Sequence, residues 1–393
     1  MSLYELDKKY IANTYNRFPI EVSCGKGALL YDKNGKEYID LGSGIGVNAF
    51  GYCDDIWCDA VKKQIAQIQH TSNLYYTKPS AKLAKLLCEK TGMKKVFFSN
   101  SGAEANECAI KAARKYAGEK KGDEYFTIIT LKNSFHGRTL TTLSATGQDK
   151  FHELYKPLTP GFISIDAEDT DSLLAAIKNY KPAAVMLECI QGEGGVIPLS
   201  REYLQNVRKI TEENDILLII DEVQTGNGRT GKLYAYMNYG ITPDIVSTAK
   251  GLAGGLPIGA TLLGEKVKDI FAFGDHGSTF GANPVCCAAA LSVLERLDDD
   301  FFAEIRKKSE FLFNYFKNKK GIKSVSGMGL MIGLKTVRPA KDIIFEAMDA
   351  GILLLSAKDK VRLLPPLNIE FELLQQAAET IAKICEKENW NEP

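Results

Sequence analysis

The chain has 393 residues, which is enough to bury a large hydrophobic core and to form two or three domains. Hydrophobic residues make up 45% of the chain and charged residues 25%, which is ordinary for a globular protein. Because 49 Lys and Arg residues balance 49 Asp and Glu residues, no basic field attracts nucleic acid or an anionic membrane, and we expect neither as a partner.

The N-terminal sequence and the cysteines indicate the cellular compartment. The first ten residues, MSLYELDKKY, contain no apolar signal segment, and no apolar run in the sequence is long enough to span a bilayer. Nine cysteines are scattered without a C-x-x-C pair, and the C-x4-C spacing of Cys53 and Cys58 has no second Cys or His pair nearby. We therefore expect a cytoplasmic protein with reduced cysteines and no metal site.

The N-terminal region is predicted to contain a β-hairpin. Residues 27–40 contain two strand-like runs on either side of the turn Asp32-Lys33-Asn34-Gly35. We expect this hairpin to join the C-terminal lobe, so that residues 1–50 form an N-terminal segment of the smaller domain.

Residues 90–265 alternate short apolar runs with helix-like stretches, a pattern typical of a buried parallel sheet covered by helices. We expect them to lie in a large domain that spans residues 51–291. The predicted strands are residues 96–98, 125–131, 183–187, 215–220, 244–248 and 259–263, the last of them at an edge of the sheet.

The last hundred residues have a different order of elements, which indicates a smaller α+β domain over residues 292–393. The predicted elements are a helix over 299–317, a strand-like segment over 325–335, a helix over 341–350, strands over 352–355 and 361–364, and a final helix.

The helix after the first strand of the large domain begins with a polar turn. Residues 99–104 read Ser-Asn-Ser-Gly-Ala-Glu and lead into an Ala-rich helix that is predicted to end near Gly118. Ser101 and Glu104 match a capping box, so amide donors are expected to converge at this helix start. These amides and the helix dipole suit a phosphate, and an ordinary capped helix is the alternative.

Two charged residues follow neighbouring predicted strands. Asp221 comes directly after residues 216–220, and Lys250 follows residues 245–248 and precedes a glycine-rich stretch. Because ligands of an open parallel sheet bind outside the carboxyl ends of its strands, we expect both side chains at one site. Taken alone, Asp221 could instead bind a metal or cap a helix, and Lys250 could be a solvated loop residue.

Pyridoxal 5'-phosphate would explain all three features. This cofactor requires an amine for its Schiff base, a carboxylate that keeps its ring nitrogen protonated and a turn that binds its phosphate. Lys250, Asp221 and residues 101–103 would supply these groups. Burial would lower the pKa of Lys250 and suit it to act as the base that moves the substrate proton.

A glycine-rich segment gives two weaker matches to nucleotide-binding motifs. Residues 226–231 match G-x-G-x-x-G, and residues 226–232 resemble the start of a P-loop. The dinucleotide hypothesis fails because residues 221–225 separate the glycines from the preceding strand. The P-loop hypothesis fails at Leu233, where Ser or Thr should bind magnesium.

Five separated motifs together resemble those of the class III aminotransferases of fold type I. The resemblance extends along the whole chain and implies an α/β fold, with a large domain around a mostly parallel seven-stranded sheet and a smaller α+β domain. It also implies a homodimer with shared active sites. The motifs are residues 99–106 (SNSGAEAN), 135–139 (FHGRT), 191–195 (QGEGG), 221–226 (DEVQTG) and 277–281 (GSTFG).

The resemblance implies contacts with the cofactor at particular positions. Thr279 would bind the phosphate of the cofactor that the partner subunit holds, and His136 is interpreted as shaping its turn rather than moving protons. The other implied residues are Ser101, Gly102 and Ala103 at the phosphate, Phe135 and Val223 on the two faces of the ring, Asp221 at the ring nitrogen, Gln224 at the phenolic oxygen and Lys250 at the aldehyde carbon.

The resemblance also implies residues that select the substrates. Arg138 would hold a carboxylate, so that a substrate whose α-amine is blocked presents its terminal amine to the cofactor. Glu193 would pair with Arg362 and release it for the second carboxylate of glutamate, and Ser278 is assigned to the substrate site. The alternative is that Arg362 is a surface residue beside two prolines.

Three stretches resemble those of the family members that act on N-acetylornithine, and this resemblance implies N-acetylornithine as the amine donor: residues 13–19, 44–48 and 72–77. The family as a whole implies 2-oxoglutarate as the acceptor, and the reaction would belong to arginine biosynthesis. Ornithine, succinylornithine and N-succinyldiaminopimelate are alternative substrates, and a non-catalytic protein that binds pyridoxal phosphate is an alternative of another class. Residues 51–55 (GYCDD) depart from the G-H-x-H-P usual in the family, which we interpret as drift.

Overall fold

A computed structural model describes residues 1–387 of the chain, and residues 388–393 lie outside the described part. The strands are β1 (Val22–Lys26), β2 (Leu29–Asp32), β3 (Glu37–Asp40), β4 (Lys95–Ser99), β5 (Thr127–Leu131), β6 (Phe162–Ile165), β7 (Pro182–Leu187), β8 (Ile190–Gln191), β9 (Ile197–Pro198), β10 (Leu217–Asp221), β11 (Ile245–Thr248), β12 (Gly259–Leu263), β13 (Ile322–Met328), β14 (Met331–Thr336), β15 (Ile352–Leu353), β16 (Leu355–Ala357) and β17 (Lys360–Leu363).

Helices cover the sheets and connect their strands. The α-helices are α1 (Leu3–Tyr10), α2 (Ser43–Gly46), α3 (Asp55–Ile65), α4 (Lys78–Thr91), α5 (Gly102–Lys121), α6 (Leu140–Ala145), α7 (Thr170–Tyr180), α8 (Arg201–Glu213), α9 (Pro284–Leu294), α10 (Asp299–Phe316), α11 (Ala340–Asp349) and α12 (Phe371–Cys385). Short 3-10 helices cover Asp149–Phe151, Ala235–Asn238 and Lys250–Ala253.

The central sheet has seven strands in the order β4-β12-β11-β10-β7-β5-β6. Strands β11, β10, β7, β5 and β6 are parallel to their neighbours in that series, whereas β12 runs antiparallel to both β11 and β4. This confirms the predicted α/β fold with a mostly parallel seven-stranded sheet. Every residue of β5, β7 and β10 is buried, as expected for strands that helices cover on both faces.

Two details of the sheet differ from the sequence prediction. Strand β12 was expected at an edge, but it lies inside the sheet between β11 and β4, because it returns antiparallel and pairs along its whole length with both. The edge strand β6 was not predicted. Its residues are mostly only half-buried, so its short apolar pattern gave a weak signal.

The C-terminal region forms a four-stranded sheet in the order β13-β14-β17-β16, with α10, α11 and α12 nearby. The strand-like segment over residues 325–335 is a hairpin rather than one strand: β13 and β14 pair antiparallel and meet at the turn that contains Gly329. Gly329 has a left-handed φ of 60°, which allows this tight reversal. The predicted C-terminal domain extends to residue 393, so its last six positions lie outside the described residues.

The predicted N-terminal hairpin is formed by β2 and β3, which pair antiparallel. Strand β3 also pairs in parallel with β15, so the hairpin belongs to the sheet β1-β2-β3-β15. Backbone hydrogen bonds extend this contact from Leu41 to Leu353 and to Leu364. None of the helices within residues 1–387 is both long and apolar enough to cross a membrane.

Helix α5 begins and ends at residues with clear capping roles. Ser101 is the N-cap, and its hydroxyl accepts a hydrogen bond from the Glu104 amide at 3.2 Å. The helix continues past Gly118, where its end was predicted, and ends at Lys121 before Gly122, whose φ is 113°. A single glycine inside a helix weakens it without ending it.

We expect Gly259→Ala to destabilise the fold by about 1–3 kcal/mol, because an added methyl group would be overpacked. Its Cβ would lie 2.3 Å from the Ser101 carbonyl oxygen and 2.6 Å from the Ser99 hydroxyl. Gly118→Ala is the matched control and should stabilise the protein by roughly 0.5–1 kcal/mol, since it is helical and has room. Urea unfolding measures both. Equal stabilities of the two variants would contradict the close approach at Gly259.

Candidate functional site

A cavity of about 460 Å³ lies at the carboxyl ends of the central strands. Its walls come from the segments that follow β4, β5, β7, β10 and β11, as expected for an open parallel sheet. The predicted site residues that line the cavity are Ser101, Gly102, Ala103, Phe135, Arg138, Asp221, Val223, Gln224 and Lys250.

Lys250 projects from a strained piece of backbone just after β11. Its φ is 44°, in the left-handed region that a residue with a side chain adopts only at a cost, and Ala249 before it has φ −165° and ψ −140°. Burial lowers the pKa of the Lys250 amine, an effect that the negative charges of Glu193 and Asp221 partly oppose. The amine is therefore more easily deprotonated than an ordinary lysine.

Asp221 ends β10, whose register places it beside Ser247 of β11. Its carboxylate is buried and accepts hydrogen bonds from three directions. Oδ2 lies 2.8 Å from Asn106 Nδ2 and 2.9 Å from His136 Nδ1, and Oδ1 accepts from the Val223 amide at 3.0 Å. Since a carboxylate can only accept, His136 carries a proton on Nδ1. The three donors orient Asp221 and compensate its burial.

Sequence reasoning missed both side-chain donors to Asp221. His136 was interpreted as shaping a turn, and its ring is in fact fully buried against the carboxylate. Asn106 had no role beyond its motif, yet its amide bridges Asp221 and the His136 carbonyl, to which it donates at 2.7 Å. A polar residue on the Ala-rich, buried face of α5 is the one signal that could have identified Asn106.

The start of α5 forms the opposite wall of the cavity. The predicted capping box is only half formed, because Glu104 accepts from the amide and side chain of Asn100, each at 2.9 Å, rather than from the Ser101 amide. Gly102 approaches the next wall closely: a Cβ there would lie 2.6 Å from Val223 Cγ1. A residue without a side chain thus leaves the amides of the helix start open to an anion.

The backbone of Phe135 is held by the buried carboxylate of Glu188, a residue to which the sequence analysis gave no role. Glu188 accepts from the Phe135 amide at 2.9 Å and from the Gly192 amide at 3.1 Å. Burial raises the pKa of Glu188. The exposed guanidinium of Arg138 lies 5.6 Å from the Phe135 ring and 4.3 Å from the Phe151 ring, so it is held at the rim by two aromatic faces.

Glu193 and Arg362 form an ion pair, with 2.5 Å between Glu193 Oε1 and Arg362 Nη1. Gln224 connects to both: it donates to Glu193 at 3.2 Å and accepts from Arg362 at 3.1 Å. Burial by itself raises the pKa of Glu193, but Arg362 and Lys250 outweigh it, so that the pKa lies below its usual value. Arg362 is buried, which excludes the alternative of a surface arginine.

Ser278 and Thr279 do not line the cavity themselves, although Ser278 contacts Asn100, which does. The Ser278 hydroxyl accepts from Asn100 Nδ2 at 3.1 Å and from the Gly281 amide at 3.0 Å. Thr279 is exposed to solvent. Their predicted roles, at the substrate and at the cofactor of a second subunit, remain predictions.

Glu222, next to Asp221, is a second unassigned carboxylate and has no exposed surface. It accepts from the Thr225 hydroxyl at 2.6 Å and from the Tyr236 amide at 2.9 Å. Burial raises its pKa to about 7, because these two bonds replace only part of its hydration.

The donor set as a whole suits one kind of ligand. An amine of lowered pKa, a paired carboxylate, two apolar walls and a helix start surround the same cavity. Such a site could hold a cofactor that carries an aldehyde, a basic ring nitrogen and a phosphate.

Comparison with known proteins gives consistent relatives. The family model described as aminotransferase class-III matches residues 10–385. The chain is 50% identical over 382 residues to the acetylornithine aminotransferase of Haemophilus ducreyi, covering 97% of each chain. It resembles an ornithine aminotransferase structure from Toxoplasma gondii, described as having partial occupancy of PLP at the active site, with TM-score 0.93, 31% identity and coverage of 98% and 93%. An N-acetylornithine aminotransferase structure from Stenotrophomonas maltophilia matches with TM-score 0.85, 34% identity and coverage of 97% and 98%.

We expect Glu222→Gln to gain stability relative to the parent protein as the pH rises from 5 to 8, by on the order of 1–3 kcal/mol. A carboxyl whose pKa is raised by folding stabilises the fold below its unfolded pKa, and this contribution is lost as the pH rises through about 7. The neutral amide of the variant does not titrate and would have no such loss. Urea unfolding at both pH values measures the difference, with the exposed Glu213→Gln as control. If the difference in unfolding free energy between Glu222→Gln and the parent protein is the same at both pH values, the raised pKa of Glu222 is wrong.

Proposed function

The chain belongs to the class III aminotransferases, and from that premise we propose that it transfers an amino group from N-acetylornithine to 2-oxoglutarate, forming N-acetylglutamate 5-semialdehyde and glutamate in arginine biosynthesis. The observation that carries the proposal is the presence of Lys250, a paired Asp221 and the guanidinium of Arg138 around one cavity. An amine, an oriented carboxylate and a carboxylate receptor are what amino transfer to an acidic substrate requires.

Pyridoxal 5'-phosphate is the proposed cofactor, and the residues around the cavity fit it. When bound, it draws electrons from the carbon next to the substrate nitrogen, so that a proton can leave that carbon. Lys250 would bond its aldehyde carbon and Asp221 its ring nitrogen. The remaining contacts would be Ser101, Gly102 and Ala103 at the phosphate, Phe135 and Val223 on the two ring faces, and Gln224 at the phenolic oxygen.

The pairing of Asp221 supports its role at a ring nitrogen. Asn106 and His136 hold the carboxylate from one side and orient it towards the cavity that it lines. A fixed negative charge there stabilises a proton on the ring nitrogen.

Lys250 is the proposed base. Its side chain lines the cavity that would hold the substrate. Because burial lowers its pKa, the amine loses its proton more readily than that of an ordinary lysine, and it would then accept the proton from the substrate carbon. Lys250 would hold this proton on its Nζ.

Arg138 and Arg362 are proposed to sort the two substrates. Arg138 would bind the α-carboxylate of acetylornithine, whose acetyl group blocks the α-amine and leaves the terminal amine to react. Glutamate has two carboxylates and needs a second cation. Arg362, held by Glu193 and Gln224, would leave Glu193 to bind it. Ser278 would complete the substrate site.

We also propose a homodimer. Leu74, Tyr75 and Tyr76 are exposed, and Asn73 just before them donates to the Gly281 carbonyl at 2.9 Å, which ties this apolar segment to the loop of Thr279. A second copy would cover this surface, and Thr279 would then bind the phosphate of the cofactor in the partner subunit.

The proposed domain division follows the strand pairing. The central sheet falls within residues 51–291, and α9, which packs on α3 and α4, begins within these residues and ends at Leu294. The sheet β13-β14-β17-β16 and the strand β15 fall within residues 292–393, and the pairing of β3 with β15 connects residues 1–50 to this part of the chain.

A panel of half-reactions tests the proposed function. Purified holoenzyme is mixed with acetylornithine, ornithine, N-succinyldiaminopimelate or 4-aminobutyrate, and the loss of cofactor absorbance is followed. We expect acetylornithine to react fastest. Lys250→Ala should lower turnover roughly 1,000-fold or more, because the base is lost, and borohydride should label the parent protein at Lys250. A label on another lysine, or a faster reaction with 4-aminobutyrate, would refute the assignment.

We expect Arg362→Ala to slow the glutamate half-reaction by about 100-fold, the cost of a lost charged hydrogen bond, while acetylornithine is little affected. Arg338→Ala is the matched control, since Arg338 is also ion-paired, to Glu346, but away from the cavity. Stopped-flow spectra of both half-reactions provide the measurement. Equal losses with the two donors would rule out the switch.

A further inference from the structure

The glycine-rich loop of residues 226–231 is buried throughout, yet no role in binding or catalysis has been assigned to it. Its match to nucleotide-binding motifs fails on context, so its residues need another explanation. Three of them are polar and almost completely enclosed: Asn227 and Arg229 are each 2% exposed, and Thr230 is 3% exposed. Burying an amide and a guanidinium is unfavourable unless they are hydrogen-bonded, so the partners of Asn227 and Arg229 show which segments the loop contacts.

Asn227 holds the backbone that precedes Lys250. Its Nδ2 donates to the Thr248 hydroxyl and to the Ala249 carbonyl, both at 3.0 Å. The Ala249 carbonyl belongs to the peptide group that leads into Lys250, so these bonds fix the plane from which the strained Lys250 starts. Gly251, on the other side of Lys250, also packs on Asn227: a Cβ there would lie 3.3 Å from Asn227 Cβ.

Arg229 holds the strands around Arg362. Its Nη1 donates to the Leu330 carbonyl at 3.1 Å and to the Pro365 carbonyl at 2.5 Å, and its own carbonyl accepts from the Leu330 amide at 2.9 Å. Leu330 precedes β14, and Pro365 follows β17, the strand of Arg362. These strands pair antiparallel at Gly333 and Arg362, so Leu330 and Pro365 lie at the same end of the ladder, and Arg229 fastens both strands at that end.

The guanidinium of Arg229 makes these bonds without an ion-pair partner in residues 1–387. Burial lowers its pKa to about 9, and no neighbouring carboxylate offsets that effect. A buried cation held only by carbonyl oxygens adds little to stability, because its desolvation opposes the gain. The buried hydrogen bonds of Arg229 therefore contribute little to stability. We interpret them, together with those of Asn227, as contacts that align the backbone before Lys250 with the end of β14 and β17.

We propose that Asn227 and Arg229 are positioning residues through which loop 226–231 sets Lys250 at a defined distance from Arg362. Asn227 acts on Lys250, and Arg229 acts on the shared end of β14 and β17, the strand of Arg362 and its neighbour. The inference rests on the proposed function for the role of Arg362, but not for the role of Asn227. It implies that the two residues affect different properties of the enzyme, although they are only two positions apart.

Asn227→Gly tests the first half, because glycine accepts the left-handed φ of 56° at this position but lacks the amide. The charged groups that face Lys250, namely Glu193, Asp221, Arg362 and Glu188, stay in place. In the holoenzyme, the pH midpoint of the cofactor absorbance reports the protonation of the Lys250 nitrogen. We expect it to rise by about 0.5 unit or more, since a loosened lysine gains water, and turnover should fall about tenfold with every donor.

Asn214→Gly is the control for this variant. The Asn214 side-chain amide also donates to a backbone carbonyl, that of Ile210 at 2.8 Å. However, Asn214 precedes the amino end of β10, whereas the cavity lies at the carboxyl end of that strand. Its midpoint and turnover should equal those of the parent protein. If Asn227→Gly shows the parent midpoint and the parent turnover, the proposal is wrong.

Arg229→Lys and Arg229→Met test the second half. Both keep a long side chain, and Lys also keeps a donor and the charge. We expect the KM for glutamate to rise about tenfold in Arg229→Met and less in Arg229→Lys. The KM for acetylornithine and the pH midpoint should stay unchanged. Equal increases of KM for both donors, or no rescue by Lys, would overturn the inference.

The two levels of the proposal can fail separately. If the parent protein does not transaminate acetylornithine, the proposed function is wrong, and the Asn227 midpoint still decides the role of that residue in holding Lys250. If the parent protein is active and the Arg229 variants show no difference between donors, the positioning inference is wrong and the function stands.

Discussion

The structure depends on the placement of two opposite charges at one edge of a buried sheet. Strands β10 and β11 are hydrogen-bonded in parallel, so they deliver Asp221 and Lys250 to the same cavity. A buried carboxylate is tolerated only with partners, and the segment just after β10 supplies one of its three donors, the Val223 amide. The other two come from α5 and from the loop after β5. The need to satisfy one carboxylate thus fixes how a helix and a loop pack around the site.

The same constraint explains why small residues surround the cavity. Helix α5 must approach β10 closely for Asn106 to reach Asp221, and Gly102 and Gly259 allow this approach because neither places a methyl group against its neighbour. The approach leaves the amides at the start of α5 open, which is the property that suits a phosphate. The strain at Lys250 is maintained in turn by the paired strands and by the buried core beneath it.

The sequence was sufficient to predict features that depend on local patterns, and insufficient for those that depend on distant partners. The ends of β10 and β11 could be predicted because an apolar run stops at a polar residue. The place of β12 could not, since a five-residue apolar run does not say which strands flank it. The contacts of Asp221 cross 85 and 115 residues of chain to His136 and Asn106, so no spacing rule could identify them. Of the two hydrogen bonds of the predicted capping box, the one to the Ser101 hydroxyl forms. The one from the Ser101 amide to Glu104 does not, because the Glu104 carboxylate binds Asn100 instead.

The charges of the ion pair between Glu193 and Arg362 act on the amine of Lys250, so the pair and the lysine are electrostatically coupled. Burial lowers the pKa of Lys250 and the charge of Arg362 lowers it further, whereas the charge of Glu193 raises it, so the two members of the pair act in opposite directions at the amine and Glu193 has the larger effect. In the proposed switch, a substrate carboxylate that takes Arg362 brings its own negative charge. Glu193 then loses its main partner, and Lys250 is the other cation that acts on it. The departure of Arg362 therefore does not leave the buried Glu193 carboxylate without a counter-charge, because Lys250 still acts on it. The free-energy cost of the switch is smaller than it would be for a fully isolated carboxylate.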